Sequence, residues 1–178
     1  RSWEPNYGMD VLARAFVIVA RQRPDVSLLL LGGGSQGAII KKILSDGGAM
    51  EQVSFAGQIG QNDLPAYYHM ADLYISASHV DGSSVSLMEA LACGLPCLVS
   101  DIPANQEWVS EAENGWLFPD GNVQVLADKI LAAIDGRANL PNNGKIARQT
   151  AEDKANWPAN FDKLLDTYNT VISAMRSG

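Results

Sequence analysis

Cysteine is scarce. The 178-residue chain holds two, Cys93 and Cys97, inside a CGLPC run. A metal site wants more ligands than that, and a disulfide there would have to span a tight helix-to-strand turn. The expectation is a pair of buried, reduced thiols, which fits a reducing compartment. Basic residues are also few. Thirteen Lys and Arg stand against 20 Asp and Glu, giving a formal net charge of −7. A nucleic-acid backbone needs a basic face, so nucleic acid is excluded as a partner. A small bound anion is not excluded, because backbone N–H groups and a single arginine make a local positive site.

Other absences narrow the class further. No apolar run approaches the roughly 20 residues of a membrane span, and no signal peptide is visible. A soluble, cytoplasmic protein is the expectation. Repeats and low-complexity segments are missing. No His/Cys/Asp cluster has metal-ligand spacing, and no Ser/His/Asp or Cys/His order stands out. The expected metal list is therefore empty. What is present is a 47% hydrophobic, 19% charged composition, which fills one core and excludes disorder or a coiled coil. The opening RSWEPNYG has no initiator Met and reads as a loop entered from something upstream, so a piece of a longer protein is expected.

Apolar periodicity then divides the chain. Val11, Leu12, Ala15, Phe16, Ile18 and Val19 recur at helical spacing over residues 9–23, and Pro24 and Asp25 end that helix. Val26–Leu31 is a short continuous apolar run, the pattern of a strand buried on both faces. Ile39–Leu44 continues as a helix, and Val53–Ala56 is a second strand. Asn62 or Asp63 can cap a helix carrying Leu64, Tyr67, Tyr68 and Met70. Further strands are read at Leu73–Ala77 and Pro96–Ser100, with a helix over Ser84–Cys93 between them. Asn105–Ser110 looks like a helical turn, Gly115–Phe118 like a short extended piece, and Val123–Ile134 like a helix. Residues 136–144, GRANLPNNG, read as a polar linker. The tail keeps one apolar stripe from Phe161 to Met175. Strands alternating with helices predict an α/β fold: a Rossmann-like, doubly wound parallel sheet. The core is expected over residues 1–135 and C-terminal helices over 143–178, in a single domain.

In such a sheet a ligand binds outside the carboxyl ends of the strands. The polar loops expected there are Gly32–Gly37, Gly57–Asn62, Ser78–Ser84 and Asp101–Gln106. GGGSQG at 32–37 is a literal G-x-G-x-x-G, in which glycines let a backbone approach a phosphate at a helix N-terminus. A nicotinamide or flavin site is disfavoured, because the next strand ends in Ala56-Gly57-Gln58 with no acidic residue. A plain tight turn explains the same glycines. The other constellation is Asp81 and Glu89, eight positions apart. About two helical turns separate such positions, so they are no acid/base dyad but can touch two parts of one extended ligand. Between them the Ser83–Val85 amides open a helix and suit an anion. The plainer alternative has Asp81 capping and Glu89 pairing on the surface. Against it, Glu89 stands among Met88, Ala90, Leu91 and Ala92, where an unpartnered carboxylate is costly. His69 reads as structural. His79, beside the loop, is a candidate for lining a site.

The run Asp81-Gly-Ser-Ser-Val-Ser-Leu-Met-Glu89-Ala-Leu-Ala-Cys-Gly-Leu-Pro resembles the motif of the retaining, group 1 type of GT-B glycosyltransferases: two carboxylates separated by seven residues, then E-A-x-A-x-G-x-P. Supporting pieces are Arg1 with the loop to Gly8, Leu31-Gly-Gly-Gly34, Val53-Ser-Phe-Ala-Gly57, Ala71-Asp72-Leu73 and Asn114-Gly115-Trp116-Leu117. The resemblance covers nearly the whole chain and is to the carboxyl-terminal, donor-binding half of those enzymes.

The resemblance implies a nucleotide-diphosphate sugar as donor substrate, no further cofactor, and transfer of a hexosyl-type group with retention and without metal. It implies that Arg1 neutralises the donor diphosphate, that the amides of Gly82, Ser83, Ser84 and Val85 face it, and that Glu89 bonds the ribose. Asp81 would face the donor sugar, Gly57, Gln58 and Ile59 the base, and Gly34 would belong to the donor-binding loops. Asp81 and Glu89 are the catalytic candidates. The family's Glu is Asp81 here, its Gly-Phe-Gly is Gly82-Ser83-Ser84, and its Lys is Tyr7. An acceptor (glycan, lipid or small molecule) and an amino-terminal domain are the implied partners, and peripheral membrane attachment would run through that domain. A first strand is implied ahead of Arg1. Other readings of the chain are a GT-B-like sugar-nucleotide epimerase and a non-catalytic sugar-nucleotide binding module.

Overall fold

The computed structural model describes residues 2–177, with side chains through residue 175. The strands are β1 (Leu28–Leu31), β2 (Val53–Gly57), β3 (Tyr74–Ser76), β4 (Cys97–Ser100) and β5 (Gly115–Phe118). The helices between them are α1 (Met9–Gln22), α2 (Gly37–Asp46), α3 (Leu64–His69), α4 (Val85–Ala92), α5 (Pro103–Gln106) and α6 (Val123–Asp135), followed by α7 (Leu140–Lys154) and α8 (Trp157–Ser177). Every strand pair is parallel, as the alternation of strand and helix predicts.

Side chains alternate in direction along the central strands and sort the helices to two faces. Leu98 and Phe118 point into a core with Phe16, Val19, Ile40, Leu44 and Leu126, from α1, α2 and α6. Cys97 and Val99 point the other way, onto Leu87 and Leu91 of α4 and Ala147 and Ala151 of α7. Each fully buried leucine of this kind contributes roughly 1.5–3 kcal/mol relative to exposure. β4 is buried at all four residues, as a central strand covered on both faces must be.

The sheet is not continuous. It divides into a two-stranded part, β1-β2, and a three-stranded part, β3-β4-β5. A cavity of about 740 Å³ separates them, lined by Leu28–Leu31 on one side and Leu73–Ala77 on the other. Ser2 bridges Gly33 in parallel fashion, and the Asn6 carbonyl accepts from the His79 N–H at 2.9 Å. The segment from Ser2 to Gly8 therefore closes the carboxyl end of the gap.

Two segments differ from the sequence reading. Residues 136–144 are not a linker: a 3₁₀ turn at Arg137–Asn139 runs into α7. Pro141 sits in the first helical turn, where its missing N–H costs nothing. Asn143 is buried and donates to the carbonyls of Ala112 and Glu113, at 3.0 and 2.5 Å. The helical turn read at Asn105–Ser110 lies earlier, at Pro103–Gln106, again with proline in its first turn. Both cysteines are free, but only Cys97 is fully buried, and burial pushes its thiol far up; Cys93 is half-buried at the end of α4. On α8 the apolar stripe is exposed, with Phe161, Leu164, Leu165, Tyr168, Val171 and Ile172 each 42–58% accessible. Among the described residues no helix is long and apolar enough to cross a membrane.

Extending the chain ahead of Arg1 with five or six β-branched apolar residues should raise the melting temperature by about 5 °C or more. A proline in the middle of the extension should cancel the gain, because it removes a ladder donor. Equal melting curves for all three chains would mean that the gap does not take a strand.

Candidate functional site

The loop from β3 to α4 carries Asp81, Gly82, Ser83 and Ser84. Its start is tied to three other elements. The Ser78 carbonyl accepts from Ser100 Oγ of β4 at 2.5 Å, the His79 N–H donates to Asn6, and the His79 Nδ1 lies 2.7 Å from Asp120 Oδ1 beyond β5. Its end is the cap of α4: Ser84 is buried, and its Oγ accepts from the Leu87 N–H at 3.4 Å. The cap is thus Ser84, not Asp81. Asp81 is half-buried, whereas Gly82, Ser83 and Val85 are exposed. A helix start of this kind leaves its first amides aimed beyond the terminus and carries the positive end of the helix dipole.

Glu89 lies within α4, half-buried, and its Oε2 accepts from the Tyr68 hydroxyl at 3.0 Å. That hydroxyl also faces the Ser86 carbonyl at 3.3 Å, while the Tyr74 hydroxyl pairs with Ser86 Oγ at 2.8 Å. Tyr68 is 8% exposed. Burial pushes its phenol far above the ordinary tyrosine value, with the neighbouring Tyr74 and the Glu89 carboxylate adding to the rise. The phenol therefore stays a donor at every working pH and fixes one oxygen of Glu89. Among the described residues, the other Glu89 oxygen makes no hydrogen bond. So among the described residues Glu89 is neither stranded among apolar residues nor paired with a surface cation.

The loop after β2 belongs to the same end of the fold. Gly57 has φ +69°, and its carbonyl accepts from the Gly32 N–H at 2.6 Å. Gln58 is exposed and Ile59 half-buried. That loop runs directly into α3, whose Tyr68 holds Glu89, so one short helix couples the Gly57–Ile59 loop to the carboxylate.

Gly34 has a different local explanation. A Cβ there would lie 2.7 Å from the Trp3 nitrogen and oxygen and from Glu4 Oε1. Trp3 donates to the Gly33 carbonyl at 2.9 Å, Gln36 donates to the Trp3 carbonyl at 2.9 Å, and Glu4 accepts from the Ser35 N–H at 3.0 Å and from Ser35 Oγ at 2.5 Å. The glycine-rich loop closes on its own chain, with a carboxylate at its serine. Those two bonds hold the Glu4 carboxyl below its ordinary value. Their contribution is present above the ordinary glutamate pKa and fades as pH falls through the lowered folded one. Arg1 lies outside the described residues. His69 is exposed at the end of α3, and His79 is half-buried at the loop. Among the described residues, no three His, Cys, Asp or Glu side chains are grouped to hold a metal.

The family model of the glycosyl transferases group 1 matches residues 2–150. The chain belongs to this family. It is 30% identical over 173 residues to phosphatidyl-myo-inositol mannosyltransferase of Mycobacterium leprae, a match covering 96% of this chain and 45% of that protein. Among solved structures, sucrose-phosphate synthase from Thermosynechococcus elongatus superposes with a TM-score of 0.85 at 28% identity, over 96% of this chain and 44% of that one. TarM of S. aureus, solved with UDP bound, superposes with a TM-score of 0.87 at 23% identity, over 94% of this chain and 34% of that one. The chain thus spans about half the length of the known relatives it matches, and its α/β fold is that of a GT-B glycosyltransferase domain.

Within this group 1 domain, sequence reasoning located the Asp81 loop, the helix start and Glu89, but missed Tyr68 and Asp120. Tyr68 was visible only as one apolar position of a short helix. Its role needs α3 and α4 to pack, which no local pattern announces. Tyr68→Phe should cost about 1 kcal/mol, or roughly 2–4 °C in melting temperature, by removing the donor to Glu89. An unchanged melting curve would mean that water replaces the phenol at no cost. Gly34→Ala should cost about 1–3 kcal/mol, since the added methyl meets backbone atoms that cannot rotate away; chemical denaturation reads this directly.

Proposed function

We propose that this chain is the donor-binding half of a retaining glycosyltransferase that transfers a hexosyl-type group from a nucleotide-diphosphate sugar without a metal. The observation that carries the reading is the Asp81 loop. One loop brings together a half-buried carboxylate and a serine-capped helix start, and that helix carries a second carboxylate whose orientation a tyrosine fixes.

Glycosyl transfer passes through an oxocarbenium-like state while the nucleoside diphosphate departs. The protein has to stabilise the charge that grows on the leaving phosphates. Amides already aimed at that position do so without reorganising. In this reading Gly82 to Val85 supply those amides and Arg1 adds a guanidinium. Glu89 accepts from the ribose hydroxyls with the oxygen that Tyr68 leaves available. Asp81 faces the donor sugar, one methylene shorter than the family's glutamate. Gly57, Gln58 and Ile59 lie beside the base through main-chain contacts. Gly34 acts at one remove, by giving Trp3 and Glu4 room and so positioning the segment that follows Arg1. No redox or organic cofactor enters. The acceptor, and the rest of the active site, come from an amino-terminal domain, which also carries any peripheral attachment to a membrane. The protein works in the cytoplasm, where nucleotide sugars are made.

Titration with UDP, GDP and ADP sugars should raise the melting temperature of this chain for one base, because a ligand that binds only the native state stabilises it. Little or no transfer is expected from the 178-residue chain alone. In the full-length protein, Asp81→Ala and Glu89→Ala should each lower transfer by at least about a hundredfold, the scale of losing one group that acts on the transition state. Transfer unchanged by both substitutions would favour a binding module instead, and release of free epimerised sugar would favour an epimerase.

A further inference from the structure

A diphosphate brings concentrated negative charge to an end of the fold that is itself acidic. Among the described residues, the Ser2–Gly8 segment and the loops directly following the five strands carry five carboxylates: Glu4, Asp63, Asp81, Asp101 and Asp120. They carry no lysine or arginine, and the one basic side chain among them is His79. The α4 amides supply partial positive charge only.

His79 is placed for more than loop structure. It opens the loop whose other end is Ser84, the cap of the helix start. Its own N–H is fixed by the Asn6 carbonyl at 2.9 Å, beside Tyr7 and Gly8. Gly8 is in turn pressed so closely on the Ala77 carbonyl that no Cβ fits there, so the Asn6–Gly8 backbone and the start of the loop form one rigid unit. The imidazole Nδ1 lies 2.7 Å from Asp120 Oδ1. A carboxylate only accepts, so Nδ1 carries the hydrogen of that bond. Nε2 has no protein partner among the described residues, and the side chain is 36% exposed. In the doubly protonated ring Nε2 also donates, and its bond to a phosphate oxygen is charge-assisted. Asp120 orients the ring as a second carboxylate orients a metal-bound or catalytic histidine.

We infer that His79, oriented by Asp120, binds the diphosphate of the donor nucleotide through Nε2. The inference rests on the donor-site reading above. Asp120 is a positioning residue and does not touch the nucleotide.

The test uses the full-length protein, with UDP, GDP and ADP titrated by calorimetry and the tightest of the three compared with its own nucleoside. His79→Gln should weaken the diphosphate roughly tenfold or more and the nucleoside less than about twofold, as loss of a charge-assisted bond to phosphate requires. His79→Lys should keep the diphosphate affinity within about threefold of the parent, because it keeps the charge. Asp120→Asn should weaken the diphosphate by a smaller factor than His79→Gln does. Equal losses for diphosphate and nucleoside in His79→Gln would overturn the inference, since that is the result of a merely structural role. An unchanged diphosphate affinity in His79→Gln would overturn it too. If the parent protein binds none of the three diphosphates, the donor-site reading itself falls. That outcome is separate from binding that His79 does not influence.

Discussion

A parallel strand needs a hydrogen-bonding partner on each edge and apolar cover on each face. β4 has all of these, and its neighbours are arranged around it. Cys97, Leu98, Val99 and Ser100 are all buried, with β3 and β5 on the two edges. Because every strand runs the same way, every loop that leaves a carboxyl end opens on one side of the molecule. The Asp81 loop, the β2–α3 loop and the Asp120 turn therefore meet at one end without any sequence signal drawing them together. β1 and β3 satisfy the same constraint only halfway. Each has one paired edge and one edge on the 740 Å³ cavity, and the Ser2–Gly8 segment crosses its carboxyl end.

The site depends on that framework through a few bonds of long sequence separation. Ser100 to Ser78 joins β4 to the loop, and Tyr68 to Glu89 joins the helix after β2 to the helix after β3. Polar groups packed this closely are stabilising only when each has a partner. The Ser84–Ser86–Tyr74 hydroxyls and the Tyr68–Ser86–Glu89 bonds meet that condition beneath the helix start. The amides above them can then face a ligand from a rigid base. Preorganised dipoles of this kind do not have to reorient when charge develops.

How much of this was legible in the sequence follows from the range of the interactions. Strand and helix positions came from apolar periodicity, a local property, and only ends and one segment moved. Residues 136–144 misled because Pro, Asn and Gly are turn formers by composition. Here Pro141 starts a helix, Asn143 bonds a distant turn, and Gly144 allows α7 to approach the Gly94 carbonyl. The spacing of Asp81 and Glu89 was legible because both lie within one loop and helix. Tyr68 is 21 residues from Glu89, and Asp120 is 41 from His79. Such pairs exist only after the sheet has brought their loops together. The glycine-rich loop had a local and clear pattern, but the bonds from its serine to Glu4, 31 residues away, were not legible in it.

Net charge was the least informative property. A chain of −7 overall is a poor candidate for binding an extended polyanion, and that exclusion is sound. It does not extend to a single diphosphate. The field that a bound anion feels is set within a few ångströms, where aligned amides count for more than carboxylates spread over the surface. An acidic surface around such a site also weakens non-specific binding of other anions. In the donor-site reading, selectivity rests on the loop between β3 and α4, because the helix start rewards an anion of the right reach. In that reading Ser84 and the short helix behind it carry the most weight.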